Sequence, residues 1–184
     1  LWYGMFLRDQ GRLTEALPEL RRAAQLAPYS VMTCVNLAYG LLWEGNYSAA
    51  LEQAKRAVEL APDLPTASLI LAHASRAAAH TAESEAALEH AWRASSGNPH
   101  ALALVACELA KSGRQKESMR AVRELEALSR QRYVSPFDLG KVSMMLGDGD
   151  QALNLFEEAF RQRSSGMIFL RHTNASCVRD TPRF

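Results

Sequence analysis

Five histidines and three cysteines are the residues of this 184-residue chain that could do metal or nucleophilic chemistry. A metal site needs three or four ligands at matched spacing, and a catalytic thiol needs a base beside it. His73 and His80 stand seven residues apart, about two helical turns, too far to share an ion on a straight helix. His90, His100 and His172 are scattered, and Cys34, Cys107 and Cys177 are isolated, with no CxxC and no HExxH. Isolated cysteines read as small core residues and suit a reducing compartment. Gly147-Asp148-Gly149-Asp150 lacks the ligand series and closing glutamate of a calcium loop, so it reads as a turn. Asn46-Tyr47-Ser48 and Asn174-Ala175-Ser176 match glycosylation sequons but are discounted, because the start, LWYGMFLRDQG, is no secretory leader. A phosphate loop, GxGxxG and G-x-S-x-G are all missing. The expectation is a chain with no catalytic residue, no metal and no cofactor.

What remains is binding, and the elements that would position it follow from a repeat. Gly11, Gly45, Gly113 and Gly147 are 34, 68 and 34 residues apart. Ala16 and Ala50, Ala23 and Ala57, and Pro28 and Pro62 keep the same interval of 34. Between these markers the chain reads helix, glycine turn, helix, proline. A period of about 34 with small residues at fixed places predicts a stack of helix pairs, the tetratricopeptide pattern. The fold class expected is all-α, a right-handed α-α superhelix of about five pairs over 1–164, with units at about 1–29, 30–63, 64–97, 98–131 and 132–164. Residues 165–184 form a basic capping tail outside the repeat. Ser30, Ser48, Thr14 and Asn98 are the expected helix caps, with Pro99 and Pro136 in first helical turns. Unit three reads as irregular: Ala79 replaces the turn glycine, and its second helix fits only when shifted by three, with Ala87 and Ala94 in the small places. Gly166 is expected to end the last helix.

Composition agrees with a packed helical chain. It is 48% hydrophobic and 22% charged, with a net charge of +1. That balance excludes disorder by composition and gives no general attraction to nucleic acid or membrane. No apolar run approaches the roughly 18 residues that span a bilayer. The first residues begin inside an apolar helical pattern, so the chain is expected to be a piece of a longer one.

Several stretches go further. WYGMFL, GRLTEALPELRRAAQLAP, RYVSPFDLGKVSMMLGDGDQALNLFEEAF, IFL and RDTPRF, in that order, resemble the carboxy-terminal tetratricopeptide region of bacterial winged-helix transcriptional activators. That region also occurs behind some serine/threonine kinases and nucleotide cyclases. Thr181 and Val178 depart from the family's ending. The resemblance implies an upstream effector domain and the interaction or sensory segment of a bacterial regulator. The alternative is a self-association module of a larger signalling enzyme, a kinase or cyclase. A cytoplasmic location is expected, or a periplasmic one if a membrane span lies upstream.

In such arrays the first helix of each pair lines a concave groove. The candidate partner-binding residues are therefore Met32, Val35, Asn36, Tyr39 and Trp43 in unit two. They are Leu69, His73 and Arg76 in unit three, His100 and Lys111 in unit four, and Lys141 and Met144 in unit five. Aromatics, methionines and a few cations suit a protein or peptide ligand, or a second copy of the chain. Domains that clamp a terminal carboxylate place lysines and asparagines on these helices. Asn36 matches, but Leu1, Met5, Thr66 and Ile70 occupy the other places, so that clamp is not expected. No nucleic-acid contact and no membrane insertion are expected.

Overall fold

The computed structural model describes residues 1–172, which form ten α-helices, one 3-10 helix and no strand. Contacts divide the chain into two units, Leu1–Ala94 and a second from Ser95 onward. The first holds α1 (Trp2–Asp9), α2 (Leu13–Leu26), α3 (Val31–Glu44), α4 (Tyr47–Leu60), α5 (Pro65–Ala77) and α6 (Thr81–Ala94). The second holds α7 (Pro99–Lys111), α8 (Gln115–Ser129), α9 (Pro136–Met145), α10 (Gly149–Arg161) and the 3-10 helix (Ser165–His172). Each odd-numbered helix packs against the even one that follows it. In the first unit, α2 then packs on α3, and α4 on α5. The fold is an all-α array of helix pairs, an α-α solenoid.

The pairs close through small residues that recur at the period of 34. Ala16, Ala50, Ser118 and Ala152 have no exposed surface. Ala57, Ala91, Leu125 and Ala159 form a second fully buried series. Unit three is not shifted, contrary to the sequence expectation. α6 lies 34 residues beyond α4 at both ends, which puts Ser84 and Ala91 in the small places. Serine is tolerated there because its hydroxyl finds an acceptor: Ser84 Oγ donates to the Ala72 carbonyl, and Ser118 Oγ to that of Ala106, both at 2.8 Å. Those carbonyls belong to a third small series that the sequence reading missed, Gly4, Ala38, Ala72, Ala106 and Gly140, all buried. At Gly140 an added Cβ would fall 2.7 Å from the Phe156 ring.

The turns keep the same register. Ala79 takes the left-handed conformation at φ 61°, as Gly45 does at φ 83°. Two caps fall elsewhere than expected. Asn46, not Ser48, caps α4 through Ala49 N–H at 3.3 Å, and α2 starts at Leu13, ahead of Thr14. Ser30 and Asn98 accept the N–H groups of Thr33 and Ala101. The last α-helix ends at Arg161, not at Gly166. Gly166 lies instead against the Phe137 ring, with no room for a side chain.

Pair five joins differently. α9 is ten residues long and starts three residues later than the period requires. α8 stands off α9, and a cleft of about 450 Å³ opens there, lined by Met119 and Val122 of α8, Leu139 of α9, Leu146 just after it, and Leu155 of α10. α9 packs on α7 instead.

Candidate binding surfaces

On the first unit, α1, α3 and α5 bring one cation and a group of rings together. Arg8, in the last turn of α1, donates from Nη1 to the Asn36 side-chain oxygen at 2.8 Å. Its Nε and Nη2 both reach Asp9 Oδ1 at 2.9 Å. The same guanidinium carbon lies 5.7 Å from the Tyr39 ring centroid and 5.9 Å from that of Trp43. Tyr39 meets His73 of α5 edge to face, with centroids 5.7 Å apart. A guanidinium over aromatic faces is attracted to the rings' negative charge and packs against them. Trp43 is 52% exposed and Met32 45%, and Arg76 is exposed one turn beyond His73.

Three of the sequence candidates here serve other ends. Val35 and Leu69 are both buried, Val35 within the first unit's apolar cluster. Asn36 is buried too, and its amide is spent: the oxygen accepts from Arg8 and Nδ2 donates to the Met32 carbonyl at 2.7 Å. Arg8 was missed by sequence reasoning. Its signal was present, because Arg8 stands 68 residues, two periods, before Arg76.

On the second unit, α7 and α9 are tied by polar contacts. Asp138, buried in the first turn of α9, accepts from His100 Nδ1 at 2.8 Å and pairs with Lys141 Nζ at 3.3 Å. Burial pushes its carboxyl up, but the His100 bond and the Lys141 charge outweigh burial and hold it below the ordinary value. Lys141 Nζ also lies 5.2 Å from the Phe137 ring centroid. Lys111 pairs with Glu108 at 2.8 Å. Met144 is buried beside Phe137 and Phe156 and offers no surface to a partner. Burial pushes the Cys107 thiol up to about 11, so it is not a thiolate at neutral pH.

Among the described residues, no three His, Cys, Asp or Glu side chains come close enough to hold a metal ion. No helix there is long and apolar enough to cross a membrane. Ser68 Oγ lies 3.0 Å from His90 Nδ1, a nucleophile-to-base distance, but Ser68 is 2% exposed and out of a substrate's reach.

No family model matches the sequence, and no curated protein matches it. Solved structures do. A tetratricopeptide protein from Thermus thermophilus, TTC0263, superposes with a TM-score of 0.64 at 21% identity over 96% of both chains. MamA gives a TM-score of 0.49 at 19% identity, over 87% of this chain and 94% of its own. YrrB, described as a tetratricopeptide protein with an unusual peptide-binding site, gives 0.47 at 14%, over 92% and 88%. The likeness to TTC0263 fixes the fold: this chain has the helix-pair fold of tetratricopeptide-repeat proteins.

Proposed function

We propose that this chain is a non-catalytic protein-binding module, the interaction or sensory segment of a larger bacterial regulatory protein that works in the cytoplasm. The observation behind it is the Arg8, Tyr39, Trp43 and His73 group, which presents aromatic rings beside cations on the first helices. Exposed aromatic and methionine side chains on a stable helical support are the usual anchors of peptide recognition. The resemblance of the chain's stretches to the region behind winged-helix activators supports the regulatory setting. Buried free thiols at Cys34 and Cys107 fit a reducing compartment.

The test is a peptide selection on the intact chain, followed by titration of the selected peptides. Trp43→Ala should weaken them about 30-fold, the equivalent of a 2 kcal/mol anchor. Arg22→Ala, on exposed α2 surface, should leave them unchanged. Peptides that bind both variants equally would rule this surface out.

A second reading is self-association, as in a larger kinase or cyclase. It is favoured by the outer face of α1, where Trp2, Tyr3 and Phe6 are all exposed. Sedimentation equilibrium with Trp2→Ser and Phe6→Ser separates it: a dimer that those changes dissolve supports it, and a monomer at all concentrations removes it.

A further inference from the structure

At the start of pair five the second unit has a cleft of about 560 Å³, walled by the first turn of α9 and the loop after α10. Its side-chain acceptors already hold donors. Asp138 already holds His100 at 2.8 Å and Lys141 at 3.3 Å. Gln162 Oε1 accepts from the Tyr133 hydroxyl at 3.2 Å. Its donors are left over. Lys141 has three, of which Asp138 takes one. The Ser135 and Ser164 hydroxyls lie 3.3 Å apart, so one donates to the other and the second proton is free to turn into the cleft. Arg163 adds a guanidinium that no ion pair holds among the described residues.

Arg163 is also strained. Its backbone sits at φ 53°, and Ala79 is the other non-glycine residue in that region among the described residues. Left-handed backbone disfavours any side chain with a Cβ. The exposed arginine side chain gains no packing in return. That conformation ends α10 as Gly45 and Ala79 end their helices, with Arg163 N–H on the Phe160 carbonyl at 3.0 Å and Ser164 N–H on that of Ala159 at 2.9 Å, and it sets the guanidinium at the cleft wall.

We propose that this cleft binds a phosphoryl group carried on a side chain of a partner protein. A carboxylate has two oxygens and one charge. A phosphate monoester offers three terminal oxygens and nearly two charges, which match Lys141, Arg163 and a serine hydroxyl set against one carboxylate. That the carrier is a protein rests on the protein-binding reading above; the anion site does not.

The experiment is an amide-resonance titration of the whole chain at constant ionic strength. The probes are inorganic phosphate, O-phospho-L-serine, acetate and the peptide Ala-Ala-phosphoserine-Ala-Ala. Saturable shifts at Ser135, Lys141, Arg163 and Ser164 with the phosphates, and at least tenfold weaker binding of acetate, are expected. Arg163→Gly should weaken phosphoserine about tenfold, as loss of a charge-assisted contact does. Its Tm should match or exceed the wild type, because glycine relieves the left-handed strain. Lys141→Gln should weaken the phosphates as well, with an unchanged spectrum elsewhere. Unsaturable shifts, acetate binding as tightly, or full affinity in Arg163→Gly would each overturn the site. Free phosphate binding more tightly than the phosphopeptide would overturn the protein carrier alone. Neither result depends on Trp43, so the two readings fail separately.

Discussion

Gly140 sits where pair five is tightest, and a single methyl there has nowhere to go. The Phe156 ring that it would meet is itself buried against Phe137, at 5.8 Å between centroids, so it cannot swing aside. Overpacking of this kind costs about 1–3 kcal/mol, so Gly140→Ala should unfold at a lower temperature in a calorimetric scan. Ala79→Gly should do the reverse, adding about 1 kcal/mol of stability and so raising Tm, since a left-handed alanine is strained and a glycine is not. An unchanged Gly140→Ala melt would mean that the small series ending there is not a packing requirement. The turn glycines and the second-helix alanines were legible because they are chemically uniform. Ser118 was legible in the same place, but Ser84 was not, because a serine reads as polar until its carbonyl partner is known. With Ser84 passed over, Ala87 and Ala94 were fitted to the small places, which produced the three-residue shift expected in unit three.

At the scale of the helix, the first helices explain why the binding residues were only half legible. α3 has α2, α4 and α5 against it, so most of its circumference is covered. Val35 and Trp43 both belong to its apolar pattern, yet one is buried and the other half exposed. A residue facing another helix and one facing an open groove give the same periodic trace. The α7–α9 contact carries a pH signature of its own. Asp138 has a folded-state pKa below the ordinary carboxylate value, because the His100 bond and Lys141 charge outweigh its burial. Its contribution is therefore complete above the unfolded pKa of about 4 and is lost as pH falls through the folded value. The stability difference between wild type and Asp138→Asn should be constant near neutrality and shrink below about pH 4. Urea melts across that range would measure it; a difference that persists unchanged into acid would show that the carboxylate's charge is not what ties α9 to α7.

At the scale of the molecule, stability in stacked pairs is a sum of each pair and its nearest neighbours. Protection should then follow how many helices each helix touches. In the first unit, α1 is eight residues long and packs on α2, with Trp2, Tyr3 and Phe6 exposed on its outer side. α3 and α5 have neighbours on several sides and supply Cys34, Ala38, Ile70 and Ala74 to the buried core. In the second unit, α8 rests on α7 and stands away from α9, whereas α4 is held by both α3 and α5. Local opening is cheapest where few buried contacts must break. Hydrogen exchange read by mass spectrometry should find α3 and α5 slowest in the first unit, and α1 fastest. It should also find α8 exchanging faster than α4, although the two helices differ by one residue in length. Equal protection of α4 and α8 would mean that the cleft beside α8 closes in solution, and that α8 packs on α9 as the second helices of the first unit pack on theirs.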